Sequence, residues 1–169
     1  MRRSRVRRVE VPAPIAATFA RSTANYAVAF ALTEPGVERW TPLHWARAVF
    51  EDAPAALRWF VVFGWRRVLG LRLGPRPSEG HVLGWAISGG DLVEGSVALT
   101  AQSRFLQASN IVAVEETTVT WVTLVHYSGA VGRPLWAIAR PLHRLTIPYL
   151  LARAADAMRQ DAGSDEQAA

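Results

Sequence analysis

The sequence predicts a single α+β domain, because helix-like and strand-like segments occupy separate stretches of the chain. One strand comes first, two helices follow, several strands fill the middle, and an apolar helix comes last. Helices and strands that are segregated in this way are typical of an antiparallel sheet with its helices packed against it. The chain has 169 residues, half of them hydrophobic, which suffices for one domain with one sizeable core.

Composition excludes several kinds of chemistry. The chain has no cysteine, which rules out disulfides, thiolate metal sites and cysteine nucleophiles. All 19 basic residues are arginine, so a lysine Schiff base is ruled out as well. The apolar run 59–65 is bracketed by arginines and falls well short of the roughly 20 residues that a bilayer span needs. We therefore expect a cytoplasmic protein with no transmembrane segment and no cofactor.

The two ends of the chain differ from its middle. Residues 1–23 are predicted to form a flexible basic N-terminal arm, since five of the first eight residues are arginine. Such an arm can attract phosphates or an anionic membrane surface, although a solvated segment is the simpler interpretation. Few aromatic residues accompany these arginines, so we expect no nucleic-acid partner. Residues 24–159 form the predicted domain, and 160–169 a disordered polar tail.

The first elements of the domain have clear local signals. Large and small side chains alternate over residues 25–32, which predicts a strand with one face on the core. Thr41-Pro42 supplies an N-cap and a first-turn proline, which predicts a helix through Phe50. A second helix is predicted from Pro54 to about Leu71. It is apolar on nearly all sides, so it is either deeply buried or in contact with a partner.

The middle of the chain is predicted to form an antiparallel meander of four long strands. The predicted strands cover residues 81–88, a segment marked by Val93, Val97 and Leu99, residues 104–115 and residues 118–127. Gly89-Gly90-Asp91 is a candidate hairpin turn. Asp91 and Glu94 are placed on the second of these strands.

The last helix is predicted to begin near Pro134 or Pro141. Apolar residues recur every three to four positions and define one stripe, which we expect to pack over the sheet. The stripe consists of Ile138, Leu142, Leu145, Tyr149 and Ala152. Pro148 is expected to kink this helix.

Several short segments together resemble the SRPBCC superfamily, the helix-grip fold of START domains and polyketide cyclases, and within it a bacterial family of unknown function. They are Tyr26 to Leu32, Trp45 to Phe50, Gly84-Trp85, and Gly132-Arg133-Pro134-Leu135-Trp136 through Pro141-Leu142-His143-Arg144. The resemblance implies an antiparallel sheet wrapped around the C-terminal helix, with two shorter helices after the first strand. It also implies a cavity between sheet and helix. That superfamily usually has six strands after its second helix, where four long ones are evident here.

Candidate catalytic residues are weak. His126 lies on a predicted strand and could act as a general base from the cavity, but an outward-facing histidine is the simpler interpretation. His143 could line the cavity or hydrogen-bond a loop. Glu94 could be a buried acid or base, although carboxylates at edges and turns are normally solvated. The four histidines lack metal-ligand spacing, so we expect no metal site.

Candidate ligand-binding residues combine aromatic side chains with a few polar ones, as small-molecule pockets do. They are Trp85, Gln107, Ser109, Trp121, His143 and Tyr149.

Three functions remain open on the sequence alone. The first is binding of a small apolar molecule, and the second is a cyclase or dehydratase reaction with His126 or His143 as base. The third is an interaction module without ligand, in which the helix containing Trp59 to Trp65 forms a homodimer or partner face.

Overall fold

The computed structural model describes residues 5–20, 24–88 and 93–168, the side chains of 18–20, 161 and 163–168 excepted. It is an α+β structure with one antiparallel sheet of seven strands, in the order β1-β2-β7-β6-β5-β4-β3, and a long C-terminal helix. The strands are β1 Val6–Val9, β2 Tyr26–Thr33, β3 His81–Val82, β4 Trp85–Ser88, β5 Ser96–Gln102, β6 Leu106–Glu115 and β7 Thr118–Tyr127. The helices are α1 Ala13–Ala20, α2 Pro42–Phe50, α3 Ala55–Phe63 and α4 Gly132–Ala168, with a π-helical turn at Gly64–Val68 that continues α3.

The predicted N-terminal arm is wrong for the part of it that the structure describes. Strand β1 adds to the sheet beside β2, with Val6 opposite Leu32 and Val9 opposite Ala29. Helix α1 then buries Ile15 against the sheet. The prediction failed because β1 is short and its two central residues are arginines, which only an edge strand tolerates in this way. Residues 1–4 and 21–23 lie outside the described residues.

The predicted helix after Thr41 is confirmed, and its cap geometry explains it. Thr41 has an extended backbone, and its Oγ1 accepts a hydrogen bond from the backbone N–H of His44 at 3.1 Å. Pro42 follows as the first helical residue, where its missing N–H costs nothing. The helix then buries Trp45, Val49 and Phe50 in the core.

Removing the cap hydroxyl with Thr41→Ala is expected to lower the free energy of unfolding by about 1 kcal/mol, because one N-terminal amide of α2 loses its partner. Urea denaturation measures the difference. The exposed Thr117, in the turn between β6 and β7, provides the control: Thr117→Ala should change stability by less than about 0.5 kcal/mol. Equal effects of the two substitutions would show that the cap contributes nothing specific.

The first strand predicted for the sheet, residues 81–88, is in fact a hairpin. Strands β3 and β4 pair antiparallel, with Val82 opposite Trp85, so Leu83 and Gly84 form a two-residue turn. Both turn residues have positive φ, 46° and 91°, as the tight turns of hairpins require. The Glu51 carboxylate accepts a hydrogen bond from the backbone N–H of Leu83 at 3.0 Å and ties the hairpin to the end of α2. The alternation of side chains hid this turn, and the described residues after α3 contain five strands rather than four.

The two faces of the sheet meet different helices. On the face that we call inner, residues such as Phe30, Trp121 and Val112 form the main core with α2, α3 and α4. On the outer face, Ile111, Val122 and their neighbours form a smaller cluster with Ile15 of α1. Successive residues of a strand alternate between these faces, so sequence parity decides which residues can meet α4.

The long C-terminal helix is confirmed, but the face predicted to pack on the sheet is wrong. The predicted stripe points outward, with Ile138 70 % and Leu145 73 % exposed. A second set of apolar residues carries the packing instead: Trp136, Ile147, Leu150, Leu151, Ala154, Ala155 and Met158. The helix therefore has two apolar faces, and periodicity alone does not say which one meets the sheet.

The start of α4 agrees with the first of the two predicted positions, whereas its end does not agree with the prediction. The helix begins at Gly132, two residues before Pro134, and Pro141 and Pro148 lie inside it. Its backbone stays helical to Ala168, where a disordered tail was predicted from residue 160. None of the helices in the described ranges combines the length and the apolar character needed to cross a bilayer.

Candidate functional site

A cavity lies between the inner face of the sheet and two helical segments, α4 and the end of α3 with its π-helical turn. Its volume is about 160 Å³, and its wall is almost entirely apolar. The sheet contributes Trp85, Ala108, Asn110 and Thr123. The helical segments contribute Phe60, Val61, Gly64, Trp65, Val68, Trp136, Ile138, Ala139, Leu142, His143, Thr146, Ile147 and Leu150. Phe50 at the end of α2, together with Leu69 and Leu71, completes the lining.

Helix α4 reaches the cavity because its first residue approaches the sheet closely. A Cβ added to Gly132 would collide with the carbonyl oxygen of Phe105, so only glycine fits at this position. The helix then carries Trp136 and His143 into the space above β6 and β7. The ring centroids of Trp136 and His143 lie 5.4 Å apart, and Tyr26 packs edge-on against Trp136 at 5.2 Å.

The polar part of the cavity wall is one buried hydrogen-bonded chain. The Asn110 side chain accepts hydrogen bonds at Oδ1 from Trp121 Nε1 at 3.1 Å and from the Thr123 hydroxyl at 2.7 Å. His143 Nε2 lies 3.1 Å from Thr123 Oγ1. Asn110 and Thr123 are 3 % and 2 % exposed. Four residues from β6, β7 and α4 are thus coupled, and α4 is held to the sheet by a polar contact at this point.

This chain determines which nitrogen of His143 carries the proton. An indole N–H can only donate, so the Asn110 atom that faces Trp121 must be the carbonyl oxygen. The Thr123 hydroxyl donates to the same oxygen, which leaves its lone pairs to accept from His143. His143 therefore carries its proton on Nε2, and its Nδ1 presents a lone pair.

The environment of His143 keeps the imidazole neutral. Burial, and after it the positive charge of the adjacent Arg144, lower the pKa of His143 from 6.5 to about 4. Desolvation disfavours the charged form of any base, and a neighbouring cation has the same effect. At neutral pH the ring is consequently a hydrogen-bonding group without charge.

In the described part of the chain, three buried side-chain nitrogens have no hydrogen-bond partner: Trp85 Nε1, Trp136 Nε1 and His143 Nδ1. All three residues line the cavity. The two indole nitrogens are donors, and Nδ1 of His143 is an acceptor. A buried polar group without a partner costs on the order of 1–3 kcal/mol, so unpaired groups in one place require a physical reason.

The structure brings together only two of the residues predicted to bind a ligand. Trp85 and His143 line the cavity, whereas Trp121 is fully buried behind it and contacts it through Asn110. Gln107 and Ser109 alternate with Ala108 and Asn110 on β6, so they lie on the outer face of the sheet. Tyr149 is exposed on the outward face of α4.

The other catalytic candidates lie away from the cavity. His126 is exposed on the outer face of β7, one residue beyond the buried Val125 of the inner face. Glu94 is exposed in the turn before β5 rather than on a strand. Asp91 and the predicted turn at Gly89 and Gly90 lie outside the described residues.

Thr123 and Trp136 were not predicted as site residues. The polar residues predicted on β6, Gln107 and Ser109, lie on the face away from the cavity. Strand parity could have found the correct face, because Ala108 and Asn110 share it with the buried Leu106 and Val112. An asparagine on such a face signals a buried hydrogen-bond network. The pairing of β6 with β7 then places Asn110 directly opposite Thr123.

The described residues contain no group of three or more histidine, aspartate or glutamate side chains that could hold a metal ion. Comparison of the chain with family models, curated proteins and solved structures found no match.

Proposed function

We propose that this protein binds a small, mainly apolar molecule in the cavity between the sheet and α4. The observation that carries the proposal is the coincidence of three unpaired buried nitrogens with one apolar cavity. The element order supports a helix-grip arrangement, and the sequence segments that resemble the SRPBCC superfamily favour the same interpretation. In that superfamily the space between sheet and last helix is where a ligand is expected.

The size of the cavity limits the ligand. An engineered apolar cavity of about 150 Å³ holds one benzene, and the volume here is about 160 Å³. One ring or a short branched chain fits without rearrangement. A larger ligand requires α3 and α4 to separate, since their side chains form much of the wall.

The unpaired atoms limit its chemistry. A ligand carbonyl can accept a hydrogen bond from Trp85 or Trp136, and a ligand hydroxyl can donate to His143 Nδ1. A purely apolar ligand would leave all three nitrogens unpaired. We therefore expect one oxygen-containing group on an otherwise apolar molecule.

Three probes of similar size test the limit on ligand chemistry: ethylbenzene, acetophenone and 1-phenylethanol. Acetophenone and 1-phenylethanol are expected to bind at least about fivefold more tightly than ethylbenzene, because each supplies a partner for a buried polar atom. Quenching of tryptophan fluorescence measures the affinities, and native mass spectrometry of the purified protein detects any retained ligand.

The matched variants are Ala139→Phe and Ala137→Phe on the same helix. Ala139 lines the cavity, and a phenyl ring there occupies the space of the ligand. Ala137 is exposed and serves as the control. Loss of probe binding in the first variant alone supports the proposal, whereas no binding of any probe by the wild-type protein contradicts it.

A cyclase or dehydratase-like reaction is the second candidate, favoured by the lone pair on His143 Nδ1. A base that works at neutral pH performs best with a pKa near 7, and the pKa of His143 is about 4. This makes it a weak proton acceptor, so binding is the better-supported function. Turnover of an aromatic polyketide-like substrate that is lost in His143→Gln and kept in His126→Gln would reverse this order.

A further inference from the structure

The two helical segments that wall the cavity also carry an exposed apolar surface. We call it the rim surface. It consists of Trp59, Phe60, Phe63 and Val68 from α3 and its π-helical turn, and Ile138, Leu142 and Leu145 from α4. Phe60, Val68, Ile138 and Leu142 are both exposed and part of the cavity wall, so this surface and the cavity are continuous.

The apolar side chains of the rim surface are highly exposed to solvent. Trp59 is 68 % exposed and stacks on Phe63 with ring centroids 5.3 Å apart. Across the opening, Leu142 and Leu145 are three residues apart and lie on one side of α4. Contiguous exposed apolar patches with a polar rim mark sites of interaction with a protein or a membrane.

The two stretches of chain that carry the rim surface are basic. Residues 53–78 and 117–155 contain no aspartate or glutamate, yet each stretch carries at least four arginines. Arg66, Arg67 and Arg140 are exposed. In the described part of the chain none of these three forms an ion pair with a carboxylate. The complementary partner is therefore both apolar and anionic.

This charge argues against a second copy of the chain as the partner. A two-fold symmetric dimer buries the same patch of both copies, so arginines would face arginines without carboxylates to pair with them. A bilayer that contains anionic lipids meets both requirements. Its headgroups attract arginine, and its interfacial region is where tryptophan and other large apolar side chains insert.

We propose that the rim surface docks on an anionic lipid bilayer, with Trp59, Phe63 and Leu145 inserted at the interface and Arg66 and Arg67 among the headgroups. Docked in this way, the cavity opens toward the hydrocarbon, and an apolar molecule can enter it without crossing water. The entry of an apolar molecule from the bilayer rests on the proposed function, whereas the docking does not. The contact is peripheral and requires no helix to span the membrane.

Vesicle sedimentation tests the docking with the full chain. The wild-type protein is expected to bind vesicles of equal parts phosphatidylcholine and phosphatidylglycerol, and to bind pure phosphatidylcholine vesicles at least about tenfold more weakly. The double variants Trp59→Ser/Phe63→Ser and Arg66→Glu/Arg67→Glu should each lose more than about tenfold in partitioning. These positions are exposed, and circular dichroism verifies that the variants remain folded.

The control is Arg7→Glu/Arg8→Glu on the edge strand β1, which makes the same charge change on exposed residues that are not part of the rim surface. It should lose less than about threefold. An equal loss in this variant would place the contact at the N-terminal region and overturn the proposal. So would the absence of vesicle binding, or a dimer in light scattering that dissociates in Trp59→Ser/Phe63→Ser. Vesicle binding by Ala139→Phe separates the two proposals, since docking should survive when the cavity is filled.

Discussion

Replacing Asn110 by leucine is expected to lower the free energy of unfolding by about 3–5 kcal/mol. The substitution removes the oxygen that accepts hydrogen bonds from Trp121 and Thr123. Both donors are buried, so neither can turn to water. A nonpolar side chain of similar size fills the space but leaves two desolvated polar groups, and each costs on the order of 1–3 kcal/mol.

Urea denaturation of Asn110→Leu measures this effect, and the adjacent residue provides the control. Ser109 lies on the other face of the same strand and is partly exposed, so Ser109→Leu should cost less than about 1 kcal/mol. The difference between the two variants separates the effect of the lost hydrogen bonds from the effect of placing a leucine in this strand. If Asn110→Leu were as stable as the wild-type protein, the chain of hydrogen bonds from Trp121 to His143 would have no structural importance.

The free energy of unfolding should depend on pH through the protonation of His143. Its pKa is about 4 in the folded protein and 6.5 in the unfolded chain, so the unfolded state binds more protons between these values. Stability is then fully present above pH 6.5 and falls as the pH decreases toward 4. Between pH 7 and pH 4.5 the expected loss from this one group is about 2 kcal/mol.

The experiment compares urea denaturation of wild-type protein and His143→Gln at the two pH values. Glutamine keeps a group that can hydrogen-bond Thr123 but cannot titrate, so most of the loss should disappear. His126→Gln is the matched control, since His126 is exposed, and it should retain the wild-type pH dependence. An unchanged pH dependence in His143→Gln would show that His143 is not held neutral by the fold.

Strand β6 shows how much of the candidate site the sequence could predict. Alternation correctly indicated a strand from about Arg104 to Glu115, and it separated Gln107 and Ser109 from Asn110. Parity favours the face of Leu106 and Val112 only weakly as the one that meets α4, because helix α1 covers part of the outer face and residues on both faces of the sheet are buried. The polar residues of the sheet that reach the cavity are Asn110 and its partner Thr123.

Sequence periodicity has the same limit in α4, where it does not show which face of the helix meets the sheet. The position of α4 after the strands and its start near Pro134 follow from local signals. The orientation of the helix does not, because Ile138, Leu142 and Leu145 form as good an apolar stripe as the residues that are buried. Close approach at Gly132 and the contact between His143 and Thr123 select one orientation over the other.

Local chemistry thus determined the α+β class, the cap of α2, most strands and the final helix, since each depends on residues close together in the chain. Only the tertiary structure decided that residues 6–9 add an edge strand, that residues 81–88 turn back at Leu83 and Gly84, and that an apolar stripe of α4 stays exposed. Those outcomes depend on partners far away in sequence. The cavity belongs to the second group, because its wall is formed jointly by the sheet, by α3 with its π-helical turn, and by α4.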